Sequence, residues 1–270
     1  MDDAPALDPS VRPSPQAVEA FRRDGHARVD GLATTAEAEW FRPVVEEVAE
    51  RIRWDRRPLA ERDTYGRAFV QSANLWRHDE RAARFTLAPR FATVAAALLG
   101  VPAVRLYHDQ ALIKEAGGGP TPWHQDQFYW PLTTDATVTL WMPLVPVADP
   151  VEGMTFADGS HRLGDLGGGA ISDASEQHFA EVVAERELAL TTYRGFAPGD
   201  ATFHSGWTLH RASGNPTDAP RTVMTVIYVA DGARVAEPAS PAQEFDRQLW
   251  LGGAAPGEPV GGDLNPRLGL

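Results

Sequence analysis

The 270-residue chain is long enough for one sizeable core, and 43% apolar with 23% charged residues is ordinary for a folded globular protein. It has no cysteine, which excludes disulfides and thiolate catalysis and leaves histidine, aspartate and glutamate as the strong metal ligands. A formal net charge of −12 without a basic cluster argues against nucleic acid as a partner and for a small molecule.

No run approaches the roughly 18 consecutive apolar residues of a membrane span. The start, MDDAPALDPS, is acidic and proline-bearing where a secretion signal would be basic and then apolar, so the expectation is a cytoplasmic protein with no membrane partner. Monomer and homodimer are both compatible with the sequence. Residues 1 to about 13 carry too little apolar content to pack and read as a loose arm. Ser14 reads as an N-cap with Pro15 at the first helical position, Val18 and Phe21 on one face and a stop at Asp24-Gly25. A second helix opens on the capping-box pattern Thr34-x-x-Glu37 and carries Phe41, Val44, Val45, Val48 and Ile52 at helical spacing, with Pro43 as a point of kinking. A third, 89-PRFATVAAALLG-100, runs from proline to glycine, which makes the first hundred residues largely helical.

Beyond Gly100 the texture becomes β-like, in 103-AVRLYHDQALIKE-115, 136-ATVTLWMPLVPV-147, 187-ELALTTYRGF-196, 200-DATFHS-205 and 221-RTVMTVIYV-229. Residues 163–186 form a glycine-rich loop leading into a short helix, a candidate lid, and the tail 252-GGAAPGEPVGG-262 has no regular structure in prospect. No repeat or compositional break marks a second domain. Residues 1–270 are therefore read as one β core with helices outside it.

The stretch 121-TPWHQDQFYWPL-132 places a histidine and an aspartate two residues apart inside an aromatic run. On a strand, residues i and i+2 point to one face, so His124 and Asp126 would present an imidazole and a carboxylate side by side. Those are two members of the two-histidine, one-carboxylate set that binds Fe(II) with open positions. Alone the pair is a weak signal in a chain with eight histidines, and a solvated surface pair is the commoner reading. The third ligand would come from His161, His178, His204 or His210. In 204-HSGWTLHRASGNPTDAPRTVMTVIYV-229, Arg221 opens a strand eleven residues after His210, beyond a turn built from Gly214-Asn215-Pro216 and Pro220, and a hairpin would return it near His210. A guanidinium inside a β core is costly unless it meets a carboxylate, which its fork matches. A dicarboxylic co-substrate such as 2-oxoglutarate would supply one; a surface arginine at a strand mouth is the plainer alternative.

Taken in order, 123-WHQDQFYW-130, 137-TVTLWMPL-144, 153-GMTFADGSH-161, 197-APGDATFHSGWTLHRASGN-215 and 221-RTVMTVIYV-229 resemble the phytanoyl-CoA dioxygenase family of Fe(II)- and 2-oxoglutarate-dependent oxygenases. The likeness runs from Phe21-x-x-x-Gly25 to Asn265-Pro266. It implies a mainly β fold, a double-stranded β-helix of jelly-roll or cupin-like form, with the metal at its open mouth and the N-terminal helices packed outside. It further implies His124, Asp126 and His210 as iron ligands and Arg221 as the residue that holds the distal carboxylate of 2-oxoglutarate. Gln110, Trp141 and Thr155 resemble positions lining the co-substrate pocket, although core packing or a backbone hydrogen bond would explain them too. His204 does not fit the family's spacing to the arginine and reads as supporting or structural. His161 and Asn215 read as turn residues without a metal role.

The resemblance implies Fe(II), 2-oxoglutarate and O2 as the reacting set, with succinate and carbon dioxide as by-products of hydrogen abstraction from a substrate C–H bond. Hydroxylation is the default outcome; epimerisation, desaturation and cyclisation begin with the same abstraction and stay open. Asp126 argues against halogenation, because halogenating relatives carry a small residue there. Phe128, Tyr129, Trp130 and Trp207, with the candidate lid, would make an aromatic mouth for a hydrophobic or polycyclic small molecule, or else seal the end of the roll. The Ala/Arg-rich composition has the flavour of a high-GC bacterium, where many family members serve secondary metabolism such as antibiotic biosynthesis. Two rivals stand beside this reading. A metal-dependent hydrolase or isomerase on the same barrel leaves Arg221 without a role, and a binding protein without turnover sits poorly with four intact residues.

Overall fold

A computed structural model describes residues 4–147 and 153–269. Helix α1 (Pro15–Asp24) begins where Ser14 Oγ accepts from the Ala17 amide and ends at Gly25, whose φ of 86° is left-handed. A side chain at Gly25 would strain that backbone and press into His161 and Thr208. Helix α2 (Thr35–Ile52) opens on the Thr34–Glu37 capping box and continues through Pro43. Helices α3 (Thr64–Ala68) and α4 (Glu80–Thr86) lacked a clear apolar period, whereas α5 (Pro89–Leu99) spans the proline-to-glycine segment. Strands β1 (His26–Val29) and β2 (Val70–Ala73) lie among these helices, so the first hundred residues are not helical alone. The N-terminal arm differs from the expectation as well. Leu7 is buried in the core and Arg90 donates to the carbonyls of Leu7 and Asp8, so the arm is pinned rather than loose; its residues 1–3 lie outside the described residues.

Strands β3 (Val104–Lys114), β5 (Thr137–Pro143), β8 (Ala201–Ser205) and β10 (Arg221–Ala230) join β1 and β2 in a seven-stranded antiparallel sheet, with β11 (Arg267–Leu268) at its edge. The order is β1-β8-β5-β10-β3-β11, and β2 also pairs with β3. A second sheet is ordered β4-β9-β6-β7, from β4 (Thr121–His124), β6 (Met154–Ala157), β7 (Leu190–Thr192) and β9 (His210–Ala212). The two curled antiparallel sheets form the expected jelly roll. The segment 187–196 yields only the three residues of β7, an edge strand that is partly exposed, plus an isolated bridge at Phe196. Helices α6 (Asp173–Glu185) and α7 (Pro241–Trp250) complete the chain, and 252–262 is turns, as anticipated.

Period-two patterning decides what each strand face touches. On β10, Met224, Val226 and Tyr228 join Leu106 and Ala111 of β3 against Phe41, Phe85 and Phe91 of α2, α4 and α5. Each fully buried side chain of this size contributes roughly 1.5–3 kcal/mol. The alternate residues Arg221, Val223, Thr225 and Ile227 face the space between the sheets. The segment Glu80–Leu99 is long and apolar enough by composition to cross a bilayer, but it breaks at Leu87-Ala88 into α4 and α5 and is mostly buried in this core.

Candidate metal centre

His124 is the last residue of β4, and Asp126 opens a 3-10 turn (Asp126–Tyr129) rather than lying on the strand. Gln125 between them stays extended, at φ −123° and ψ 123°, so the i, i+2 alternation persists past the strand end. Side chains from elsewhere fix this arm. Glu176 Oε2 accepts from the Trp123 amide at 2.7 Å and Ser175 Oγ donates to the Trp123 carbonyl at 3.1 Å, both from the first turns of α6. The Gln125 amide donates to the Gly164 and Trp207 carbonyls, and the Gln127 amide N–H donates to the Gly206 carbonyl at 2.9 Å. Pairing of β4 with β9 then sets His124 directly opposite His210.

The two imidazoles and the carboxylate converge. His124 Nε2 and His210 Nε2 lie 3.6 and 3.7 Å from Asp126 Oδ1, and the three donor atoms fall within 4.8 Å of one another. His124 Nδ1 faces the Pro122 carbonyl and His210 Nδ1 the Thr208 carbonyl, each at 2.8 Å. A carbonyl can only accept, so both Nδ1 atoms carry the proton and both Nε2 lone pairs point into the site. Asp126 Oδ2 accepts from Thr139 Oγ1 at 2.8 Å and from His204 Nε2 at 3.1 Å, which leaves Oδ1 for a cation. Burial pushes the His124 imidazole down to about 3, helped by the charge of His210, and pushes His210 down to about 4, helped by His204. Burial favours protonated Asp126, but the facing imidazoles of His210, His204 and His124 outweigh it and hold the carboxyl well below the usual carboxylate range. Two neutral imidazoles and one carboxylate are the protonation state a divalent cation requires, so this donor set fits a metal such as Fe(II).

The centre opens into a cavity of about 1150 Å³ between the sheets, above the roughly 300–1,000 Å³ of ordinary ligand pockets. Arg221 lines it from the first position of β10, 7% exposed, with its guanidinium 5.6 Å from the ring of Trp141. Burial lowers the Arg221 guanidinium to about 10, still fully charged near neutrality. The expected hairpin from His210 to Arg221 does not exist, because β9 belongs to the smaller sheet and β10 to the larger. The chain crosses between sheets there, and Arg221 faces the centre across the roll. Asn215, in that crossover, donates to the carbonyls of Lys114, Glu115 and Ala219 and ties it to the end of β3.

Gln110 and Trp141 line the cavity, as do Tyr129 and Trp130. Thr155 does not: its hydroxyl pairs with that of Thr192, and its neighbour Met154 takes the cavity side of β6. Phe128 and Trp207 also lie off the lining, Trp207 because its indole donates to Asp135 at 2.8 Å on the outer surface. Of the candidate lid, only the loop half overhangs the cavity, through Ala170 and Ile171; α6 packs Phe179 beneath Trp123 and buttresses the metal arm. His161 stands at the end of α1 with no place in the centre.

Sequence reasoning passed over Lys114, which shares the cavity face of β3 with Gln110 and Leu112 and sits in register with Arg221. Strand parity from Gln110 would have found it. It also passed over Tyr65, Gln71, Trp54 and α7, whose Ser240-Pro241 start repeats the capping signal of α1.

No curated protein matches the sequence. The carbocyclase SnoK from nogalamycin biosynthesis, a non-heme alpha ketoglutarate dependent enzyme, superposes with a TM-score of 0.77 at 25% identity over 95% of this chain and 96% of its own. The epimerase SnoN, in complex with Fe3+, alpha ketoglutarate and nogalamycin RO, gives 0.76 at 28% identity over 93% and 97%. EctD from S. alaskensis, with 2-oxoglutarate and 5-hydroxyectoine, shares the fold at a TM-score of 0.68 and 20% identity, over 98% of this chain and 88% of its own. The sequence model of phytanoyl-CoA dioxygenase (PhyH) matches residues 21–223, most of the chain and every element of the centre, and the protein belongs to that family.

Proposed function

We propose that the protein is an Fe(II)- and 2-oxoglutarate-dependent oxygenase that acts on a C–H bond of a hydrophobic, ring-bearing small molecule. One observation carries the reading: two imidazole Nε2 atoms and one carboxylate oxygen converge, already in the metal-binding protonation state, in a cavity that also holds a buried arginine. His124, Asp126 and His210 would hold the iron. Bound there, the metal and the keto acid supply an oxidant able to remove hydrogen from a C–H bond, with loss of carbon dioxide.

The chain's own residues position and shield. The Pro122 and Thr208 carbonyls lock the ligand tautomers, and Thr139 and His204 hold Asp126 by the oxygen that faces away from the other ligands. Arg221, its charge kept by a pKa near 10, would take the distal carboxylate of 2-oxoglutarate in a fork of parallel hydrogen bonds. Trp141 walls that end, and Lys114 adds a second cation beside it. A chain from the Tyr65 hydroxyl through Gln71 to Gln110 fixes the polar wall beyond. The cavity leaves room for a second, larger molecule, against Tyr129 and Trp130.

The names of SnoK and SnoN, a carbocyclase and an epimerase, favour ring closure or epimerisation as the second reading of the outcome. They also favour a role in antibiotic biosynthesis. Oxygen-18 from O2 in the product marks hydroxylation, unchanged substrate mass marks epimerisation, and loss of two hydrogens marks ring closure or desaturation.

Anaerobic titration of the Fe(II)-loaded protein with 2-oxoglutarate tests the core of the proposal. The expected result is the weak visible band of an iron-chelated keto acid, with half-saturation moved upward about tenfold to a hundredfold by Arg221→Ala and Fe(II) affinity unchanged. Iron binding without the band would return the protein to the metal-dependent, non-oxygenase class.

A further inference from the structure

The cavity is electrically lopsided. The antiparallel register of β3 and β10 puts Lys114 opposite Arg221 at one end and His108 opposite Ile227 six residues away, about 20 Å along the strand. A register shift between Ile227 and Tyr228 marks a bulge there, which turns both Tyr107 and His108 inward. Two buried cations thus occupy one end, and the other end carries a buried carboxyl. Asp246, on α7, lines the cavity at 7% exposure.

Asp246 has no cationic partner among the described residues. Its neighbour Arg247 is committed to Glu244 and to the carbonyls of Gly253 and Ala254. The three exposed arginines that line the cavity are likewise engaged, Arg57 with Asp55, Arg56 with Glu50 and Arg211 with Glu176. What faces Asp246 is neutral: the Tyr107 hydroxyl at 3.4 Å and the Trp250 indole. Burial pushes the carboxyl up to about 7, and those two donors offset only part of the cost. The surroundings are aromatic. Trp130 packs on Tyr107 with ring centroids 5.5 Å apart, Trp250 stacks on His108 at 4.5 Å, and Phe245, beside Asp246 in sequence, is 57% exposed at the mouth.

A buried carboxyl without a counter-ion, walled by π faces, is the environment that favours an organic cation, which gains from the charge and from the ring quadrupoles together. We propose that this end of the cavity is an ammonium subsite, in which Asp246, with Trp130, Trp250 and Phe245 around it, holds an alkylammonium group, quaternary or protonated, borne by the substrate. Calling the occupant a substrate rests on the proposed oxygenase function; the binding chemistry does not. The helix that carries Asp246 packs on the turn that carries Asp126, through Gln243 Nε2 to the Phe128 carbonyl at 3.1 Å. An anchored amine therefore sets the body of the molecule against Tyr129 and Trp130, on the approach to the metal ligands. Anionic co-substrate and cationic substrate would be sorted to opposite ends by charge alone.

The test is calorimetric titration of the metal-free, 2-oxoglutarate-free protein with (4-hydroxybenzyl)trimethylammonium and with its neutral carbon isostere, 4-neopentylphenol. The ammonium compound is expected to bind at least about tenfold more tightly. Asp246→Asn, close in shape, is expected to abolish that preference while leaving the affinity for the isostere within about twofold, which also reports that the variant is folded. Equal affinities in the unmodified protein, no ammonium binding at millimolar concentration, or a preference that survives Asp246→Asn would each overturn the subsite. Since neither iron nor keto acid is present, such a result leaves the oxygenase reading standing, and a missing charge-transfer band leaves the subsite standing.

Discussion

The two faces of the β3–β10 ladder come from the same residues of backbone and do opposite work. Outward, Leu106, Ala111, Met224, Val226 and Tyr228 meet helices in a dry core. Two polar side chains there are satisfied within the protein, Asp109 by the Leu75 and Trp76 amides and the Thr86 hydroxyl, and Thr222 by donating to Glu46 of α2. Inward, His108, Gln110, Lys114 and Arg221 are buried or half-buried around a cavity, and the two cations take no apolar profit from it. A buried ammonium such as that of Lys114, with no carboxylate paired to it among the described residues, costs stability until a ligand of opposite sign arrives. The outer face explains why the chain folds, and the inner face explains what it is folded for.

That division breaks if truncating the outer face damages binding, or if removing the inner polar groups chiefly damages folding. Phe41→Ala, at a fully buried site on α2, is expected to cost about 3–5 kcal/mol in urea unfolding while the folded variant keeps its Fe(II) affinity. His210→Ala is expected to do the reverse, lowering Fe(II) affinity more than about a hundredfold with little change in metal-free stability. His204→Ala sharpens the same point. It removes one of two donors to Asp126 Oδ2 but no proposed ligand, so the expected loss is about tenfold to a hundredfold, smaller than for His210. Equal losses in the two histidine variants, measured by competition with a chelating dye, would mean that both bind the metal.

The legible parts of this protein were those with local physical causes. The caps at Ser14 and Thr34, the first-position Pro89 and the β-rich run 221–229 needed only near neighbours, and each appears where the pattern placed it. Strands β1, β6 and β9 were missed because three or four residues carry no period of their own and owe their state to pairing partners 33 to 178 residues away. The centre was legible through the spacing of His124, Asp126 and His210, yet its supports were not. Thr139, Glu176, Ser175 and Gly206 converge on the metal arm from three separate segments, and nothing in the sequence ties them to it. Leu7 shows the same limit in reverse, an isolated apolar residue in a polar arm whose pocket is made by distant helices.

The two faces also separate by pH. Lys114 is buried, its ammonium donates to the Gly119 carbonyl at 2.5 Å, and no carboxylate among the described residues pairs with it. Burial, aided by the nearby Arg221 charge, lowers it from 10.5 to about 7. Between those values the unfolded chain binds the proton and the native protein does not, so this residue makes stability rise with pH from about 7 to 10.5; below 7 both states are protonated and the full cost remains. Lys114→Met is therefore expected to be more stable than the parent at and below pH 7, by a margin that shrinks toward zero as pH approaches 10.5. Saturating 2-oxoglutarate at pH 7 should narrow the margin too, because a dianion beside Arg221 favours the charged lysine that the empty cavity penalises. A margin that stays flat from pH 7 to 10 would mean that Lys114 reaches water and that its ammonium costs the inner face nothing.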